Sequence, residues 1–220
     1  CESTGANIQE VAKAVGTDTR IGEKFMNPGP GFGGSCFKKD ILNLVYLSDF
    51  FGLRQVSSFW ESVVSLNNWQ QHRISKLIVK KLFGTLTNKK IVVLGFAFKA
   101  NTNDTRESPA INICKELLEE GAFLVIHDPK VSIKQINIDL NLKPLEIPNR
   151  LESNNLSLEG KWSKAFDLEK SFIDADAVLI LTEWDNYKHL DWNEIAKLMR
   201  KPSWVFDTRS IIDPLEFKKT

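Results

Sequence analysis

At 220 residues, with 42% hydrophobic and 26% charged side chains, the chain is long enough to bury one large core or two smaller ones. A formal net charge of +1 without a basic stripe excludes an electrostatic case for nucleic acid or an anionic membrane surface. No apolar run reaches the roughly 18 to 20 residues that span a bilayer, and no charged segment followed by an apolar one opens the chain, so the expected location is cytoplasmic.

The chain begins with Cys, not Met, and Ile8, Val11, Ala12 and Val15 recur at helical spacing. It therefore reads as a piece of a longer protein that starts with a helix already in progress. Asn27-Pro28-Gly29-Pro30-Gly31 breaks that helix. Ile41, Leu44, Val45 and Leu47, then Phe59, Val63, Val64 and Leu66, then Ile74, Leu77, Ile78 and Leu82 follow the i, i+3, i+4 pattern, and the last two groups fit one long helix. Over residues 53 to 83 the apolar groups, Phe59, Trp60 and Trp69 among them, cover more circumference than one domain face needs. Part of this surface is expected to face a second subunit. Phe51-Gly52 marks a helix end, and the period changes near Phe83-Gly84.

Lys90-Ile91-Val92-Val93-Leu94-Gly95 then reads as a buried strand running to about residue 96. A helix follows from Ser108 to Glu120, with Ser108 as N-cap, Pro109 at the first helical position and Gly121 as its close. A strand over residues 123–127 ends at Asp128-Pro129, and an irregular stretch runs to about residue 160. A helix over about 163–173, a strand over 177–181, a helix over 191–199 and a strand over 204–206 complete the pattern. The alternation predicts an α/β fold. A helical domain over residues 1–86 precedes a Rossmann-like parallel-sheet domain over 87–220. Ligands of such sheets bind beyond the C-terminal strand ends, where Phe98, Lys99, Arg106, Glu183, Trp184, Asp207 and Arg209 fall.

Most of the chemistry sits in Pro30-Gly31-Phe32-Gly33-Gly34-Ser35-Cys36-Phe37-Lys38-Lys39-Asp40. Glycines let the backbone approach a ligand and aim N–H groups at an anion. Lys38 and Lys39, with the dipole of a helix starting near Ser35, would favour the nucleophilic thiolate of Cys36. The plainer reading is a small buried cysteine in a glycine turn. After the first strand the sequence is Gly95-Phe96-Ala97-Phe98-Lys99, with bulky Phe98 where a pyrophosphate loop needs glycine, so NAD is not expected on this sheet. Lys99 offers a cation for phosphate and Arg209 a bidentate fork, although a strand-end lysine is also ordinary solvated surface. Cysteines at 1, 36 and 114 form no CxxC pair, which agrees with a reducing compartment. His72, His127 and His189 lack metal or catalytic spacing, so no metal is expected.

The run Gly31 to Asp40, with Gly95-Phe96-Ala97-Phe98-Lys99 and Asp104-Thr105-Arg106-Glu107-Ser108-Pro109, resembles the UDP-glucose dehydrogenases, and the likeness runs from Cys1 to Phe206-Asp207-Thr208-Arg209. The resemblance implies oxidation of a sugar C6 alcohol to a carboxylate by two hydride transfers to NAD, with Cys36 as nucleophile and Asp40 as the carboxylate that positions or activates water. It implies substrate contacts from Asn27, Gly31, Phe32, Gly33, Phe98, Lys99 and Arg209, and from Arg20 reaching the active site of a neighbouring subunit in a homodimer or larger homo-oligomer. Lys39 and Arg106 match positions on the NAD side of the cleft, although Arg106 can equally pair with Asp104 or Glu107, and Asp40 can simply serve a helix dipole. It also implies a preceding NAD-binding domain and helix that are upstream of residue 1. Ala100 and Asn101 depart from the residues frequent after the Phe-Lys pair. Two alternatives stay open: a noncatalytic nucleotide-sugar-binding or oligomerisation module, and a dehydrogenase of another sugar such as GDP-mannose or UDP-N-acetylmannosamine.

Overall fold

The computed structural model describes residues 1–23, 26–145 and 160–212. Asn7 opens α1 (Ile8–Gly16) by accepting a hydrogen bond from the Gln9 N–H, a conventional N-cap. The residues before it form a turn in which Thr4 and Gly5 donate to Cys1 O, so the helix begins at Ile8 and not at the first residue. After the Pro/Gly segment come α2 (Phe37–Phe50) and, past a turn at Gly52, α3 (Arg54–Lys81). The two apolar groups read as one helix do lie on α3. Its buried stripe is Ser57, Val64, Asn67, Gln71, Ile74, Ser75 and Ile78. Phe59, Trp69 and Leu77 stay exposed.

The remaining elements alternate: β1 (Lys90–Leu94), α4 (Pro109–Glu119), β2 (Phe123–His127), α5 (Ile133–Leu140), β3 (Lys161–Lys164), α6 (Leu168–Ser171), β4 (Ala177–Ile180), α7 (Asp185–Lys188), α8 (Trp192–Leu198) and β5 (Trp204–Asp207). The strands form one parallel sheet in the order β3-β2-β1-β4-β5, with Ile91 opposite Leu124 on one side and Ala177 on the other. The expected α/β class is therefore the observed one. Successive strand residues alternate between faces. Ile91 and Val93 join Leu124, Ile126, Ile113 and Leu117 in one core, into which α3 sends Ile74 and Ile78. Val92 and Leu94 join Val125, Phe172, Tyr187 and Trp192 in the other. Each such aliphatic side chain contributes about 1.5–3 kcal/mol by leaving water, so Ile78→Ala, at full burial, should cost about 2–5 kcal/mol.

Four elements differ from expectation. Residues expected to start a helix near 163 instead form edge strand β3, because pairing with β2 satisfies a backbone whose local pattern is ambiguous. The helix there shrinks to α6, capped by Asp167. The stretch expected to be irregular contains α5, capped by the Ser132 hydroxyl and ended by Asn141 in the left-handed conformation. The rest of that expected irregular stretch, from 146 to 159, lies outside the described residues. The short α7 follows β4 where no helix was expected.

Candidate active site and its surroundings

The glycine loop is wedged between α3 and the crossover from β1 to α4. Phe32 pairs its backbone N–H and C=O with the side chain of Asn67, at 2.8 and 3.1 Å. Gly33 passes so close to the crossover that a Cβ would stand 2.5 Å from Glu107 O and 3.1 Å from the Phe98 Cβ. The Gly34 N–H donates to Arg106 O at 2.9 Å. The loop thus needs glycine at 33 for want of space. These contacts bring Gly31, Phe32, Gly33, Cys36, Phe98 and Arg106 to one seam.

Cys36 occupies the cap position of α2. It is exposed, makes no side-chain cap bond, and has its Sγ 3.6 Å from Ser35 Oγ. The positive end of the α2 dipole lies at this cap position. Lys38, expected beside the thiol, instead binds Glu107 at 2.7 Å, because a tertiary carboxylate outcompetes a sequence neighbour. Arg106 grips Asp104 with Nε and Nη2. Its guanidinium is held above its usual range first by that carboxylate and also by the charge of Cys36, which sets this cation within electrostatic reach of the sulfur. Lys39 and Asp40 are exposed on the first turn of α2, where the Asp40 N–H closes the first helical bond to Cys36 O.

The β1–α4 crossover has its polar groups turned inward. Gly95 takes φ +93, and Thr182 would collide with any Cβ there. Asp128 is 4% exposed and accepts five hydrogen bonds: from the Phe96 and Ala97 N–H groups, the Trp184 indole, and the Lys130 and Val131 N–H groups. Ser108 caps the Ala110 N–H and donates to Phe96 O. Backbone donors that would cradle a dinucleotide pyrophosphate are thereby consumed, so the residues of this sheet do not fit NAD, in line with the expectation drawn from Phe98. Lys99 Nζ stands over the Phe98 ring, 5.4 Å from its centroid, at the exposed rim.

Arg209 lies deeper than expected. Its Nε donates to Leu181 O and its Nη2 to Phe98 O, so the fork expected for a ligand is largely spent on carbonyls that close the sheet end. Burial pulls its pKa down, with Glu183 and Asp207 opposing. Glu183 Oε2 faces Arg209 Nε at 3.2 Å, at ion-pair distance but not aligned for a hydrogen bond. A cleft of about 580 Å³ opens here, lined by Asn27, Pro28, Glu183, Lys188 and Arg209 together with α1 residues such as Lys13. Cys36, Phe98 and Lys99 do not line it, but the Arg209–Phe98 bond joins cleft and seam. Arg20 stands apart from both, 87% exposed and bound bidentately to Asp18. Among the described residues no cluster of His, Cys, Asp or Glu could hold a metal.

Sequence reasoning missed Asn67, Asp128 and the partner role of Glu107. Asn67 and Gln71 did leave a signal: two amides, four residues apart, interrupt an apolar helical stripe. An acidic residue at the end of β2 is a dinucleotide-fold feature, and here it points into the protein.

Comparison with known proteins bears on this arrangement directly. The UDP-glucose/GDP-mannose dehydrogenase family's central domain matches residues 1–69, and its UDP binding domain matches residues 92–214. UDP-glucose 6-dehydrogenase 1 of Glycine max is 47% identical over 215 residues, 97% of this chain and 45% of that protein. UDP-glucose 6-dehydrogenase of Gallus gallus is 47% identical over 98% of this chain and 42% of that protein. The chain spans less than half the length of these curated relatives. Among solved structures, a UDP-glucose dehydrogenase of Pyrobaculum islandicum superposes with TM-score 0.72 at 26% identity, covering 94% of this chain and 44% of that one. A UDP-D-ManNAc dehydrogenase of Pyrococcus horikoshii gives 0.68 at 25%, covering 96% and 42%. With a parallel sheet closed against dinucleotide, a glycine loop locked on it and one domain match covering more than half its length, the chain belongs to the UDP-glucose/GDP-mannose dehydrogenase family.

Proposed function

We propose that the protein to which these residues belong is an NAD-dependent UDP-glucose 6-dehydrogenase, with a helical part to about residue 86 and a UDP-binding sheet domain beyond it. The observation that carries this reading is Cys36: an exposed thiol at an uncapped helix start, in a loop locked against the sheet domain. NAD, when bound, supplies the hydride acceptor for both oxidations, and Lys39 and Arg106 are the residues of this chain assigned to its side of the cleft. The Cys36 thiolate adds to C6 of the aldehyde produced by the first oxidation, forming a C–S bond and a thiohemiacetal. Loss of the C6 hydride leaves a thioester on Cys36. Water then attacks its carbonyl carbon, Asp40 takes one of its protons, and the C–S bond breaks to release thiolate and a carboxylic acid that ionises to solvent as the carboxylate. The uncapped N–H groups of α2 are positioned to stabilise the oxyanions along this route.

UDP is assigned to the cleft beside Arg209 and Asn27, with Phe98 and Lys99 on the seam that adjoins it and Gly31, Phe32 and Gly33 as the wall toward the sugar. The sugar identity rests on the names of the relatives. A homodimer is part of the reading, supported by the exposed Phe50, Val56, Phe59, Leu66 and Trp69 on α2 and α3. Arg20 then serves the opposite site. A cytoplasmic location is assigned on the free thiols of Cys1, Cys36 and Cys114; among the described residues no helix is long and apolar enough to cross a membrane.

The test is NADH formation by the purified full-length protein with UDP-glucose, GDP-mannose and UDP-N-acetylmannosamine. UDP-glucose should give the largest kcat/KM, and a preference for either other sugar would replace the substrate. Mixing Arg20→Ala and Cys36→Ser subunits, each inactive alone, should restore activity. Failure of the mixture to do so would remove Arg20 from the partner's site.

A further inference from the structure

Asn67 lies on a buried stripe that mixes Val64, Ile74 and Ile78 with Ser57, Gln71 and Ser75, and it is only 7% exposed. A buried amide is costly unless each polar atom finds a partner. Asn67 finds both in a single peptide: Oδ1 accepts from the Phe32 N–H at 2.8 Å and Nδ2 donates to the Phe32 C=O at 3.1 Å. This is the pairing a neighbouring β-strand would supply, provided by one side chain. It also fixes the amide, since a flip would set donor against donor.

The surroundings leave the loop little freedom. Gly31 has φ +130, and a Cβ there would stand 2.7 Å from Asn67 Oδ1 and 3.3 Å from Gln71 Nε2. Gln71, 4% exposed and one turn along α3, accepts from Asn112 Nδ2 of α4 at 2.8 Å. A line of amides therefore runs from α4 through α3 to the loop. Beyond Phe32 the line continues by packing: its ring meets that of Phe37 edge-on, centroids 4.8 Å apart, and Phe37 directly follows Cys36.

We propose that Asn67 is a positioning residue for Cys36. By pairing with both polar groups of the Phe32 peptide, supported by Gln71 and Asn112, it sets the glycine loop and the first turn of α2 so that the thiolate meets the aldehyde carbon. The proposal rests on the reading of Cys36 as nucleophile, and it assigns Asn67 to the second oxidation, because the first needs no thiol.

The test uses full-length protein carrying Asn67→Ala and, separately, Asn67→Asp. The aspartate keeps the size and the acceptor for the Phe32 N–H but removes the donor to the Phe32 C=O. Two rates are measured for each: NADH formation from UDP-glucose with hydroxylamine trapping the aldehyde, and NADH formation from supplied UDP-sugar 6-aldehyde. Aldehyde oxidation is expected to fall roughly a hundredfold, the scale of a small misplacement of a reacting group. Alcohol oxidation by the folded protein should change little, while the melting temperature should fall by several degrees, because each variant leaves a polar group of the Phe32 peptide without its partner. Equal loss of both rates, or no loss of either, would overturn the positioning role. If Asn67→Ala does not fold, the split between the two rates in Asn67→Asp decides by the same criterion. Cys36→Ser, which leaves the clamp untouched, separates this proposal from the reading beneath it: undiminished aldehyde oxidation in that variant would remove the nucleophile itself.

Discussion

Two helices start beside each other at the seam, and they start differently. At α4, Ser108 caps the Ala110 N–H, donates its own proton to Phe96 O, and is followed by Pro109, which has no N–H to satisfy. At α2, Cys36 offers no side-chain cap, and the first intrahelical bond begins only with the Asp40 N–H. A capped helix start spends its donors on the protein's own structure, whereas an uncapped one keeps donors and a positive dipole end for a ligand or a thiolate. The same contrast divides the two glycine-containing loops. The one beside α4 has Asp128 filling its backbone donors, and the one beside α2 ends in an exposed sulfur.

The sharpest way to test the difference is to change each helix start in turn. Cys36→Ser in the full-length protein should lower acid formation by roughly three orders of magnitude or more, read as NADH from supplied UDP-sugar 6-aldehyde, while the melting temperature stays put. Asp128→Ala should act on stability instead, by about 3 kcal/mol or more in urea unfolding, since it orphans several buried N–H groups at once. Gly33→Ala forces the two starts apart. Its Cβ meets the Glu107 carbonyl, which cannot yield as a flexible side chain would, and the expected cost is about 1–3 kcal/mol with a loss of activity beyond that of unfolding. Ser108→Ala should cost about 1–2 kcal/mol and leave kcat of the folded fraction near wild type.

The smallest effect is one of pH. His127 is held below its usual range of about 6.5 by burial first and then by Lys164, with Asp128 opposing. The unfolded state therefore takes up the proton more readily. This stability is fully present above pH ~6.5 and is lost as pH falls toward the folded value. Because His127 O binds the Gly95 N–H, acid should loosen the capped side while sparing α2. A melting series from pH 7.5 to 5.5 on wild type and His127→Gln checks it; parallel curves would discharge His127.

Ser108 and Pro109 announced their cap in the sequence because capping is local chemistry. Phe98 announced a loop unfit for pyrophosphate for the same reason. Lys38 was read beside the thiol from adjacency, and its partner Glu107, 69 residues away, could be found only by folding the chain. Strand β3 was hidden because Lys161–Lys164 becomes a strand only through β2, while α5 is short and its Ser132 cap precedes no long periodic run. Arg106 lay between two readings, and the structure gives it Asp104 as partner without removing it from the neighbourhood of Cys36. Asn67 carried a legible oddity, a buried-stripe amide, but nothing in one sequence says which peptide it will hold.

Helix α3 has one further consequence. Its first half packs on α2 and its second half sends Ile74 and Ile78 into the same core as β1, followed by Leu82 and Leu86. Lys81, at its end, stands over the Trp204 ring of the edge strand, 5.4 Å from the centroid. At roughly 42 Å long for its 28 residues, it is a common girder of both halves. Recombining this chain with a relative at a crossover point near residue 86 would therefore graft a sheet onto four foreign aliphatic side chains. Chimeras joined before Arg54, which inherit girder and sheet together, keep the packing against the sheet matched and move the mismatch to the contact of α3 with α2.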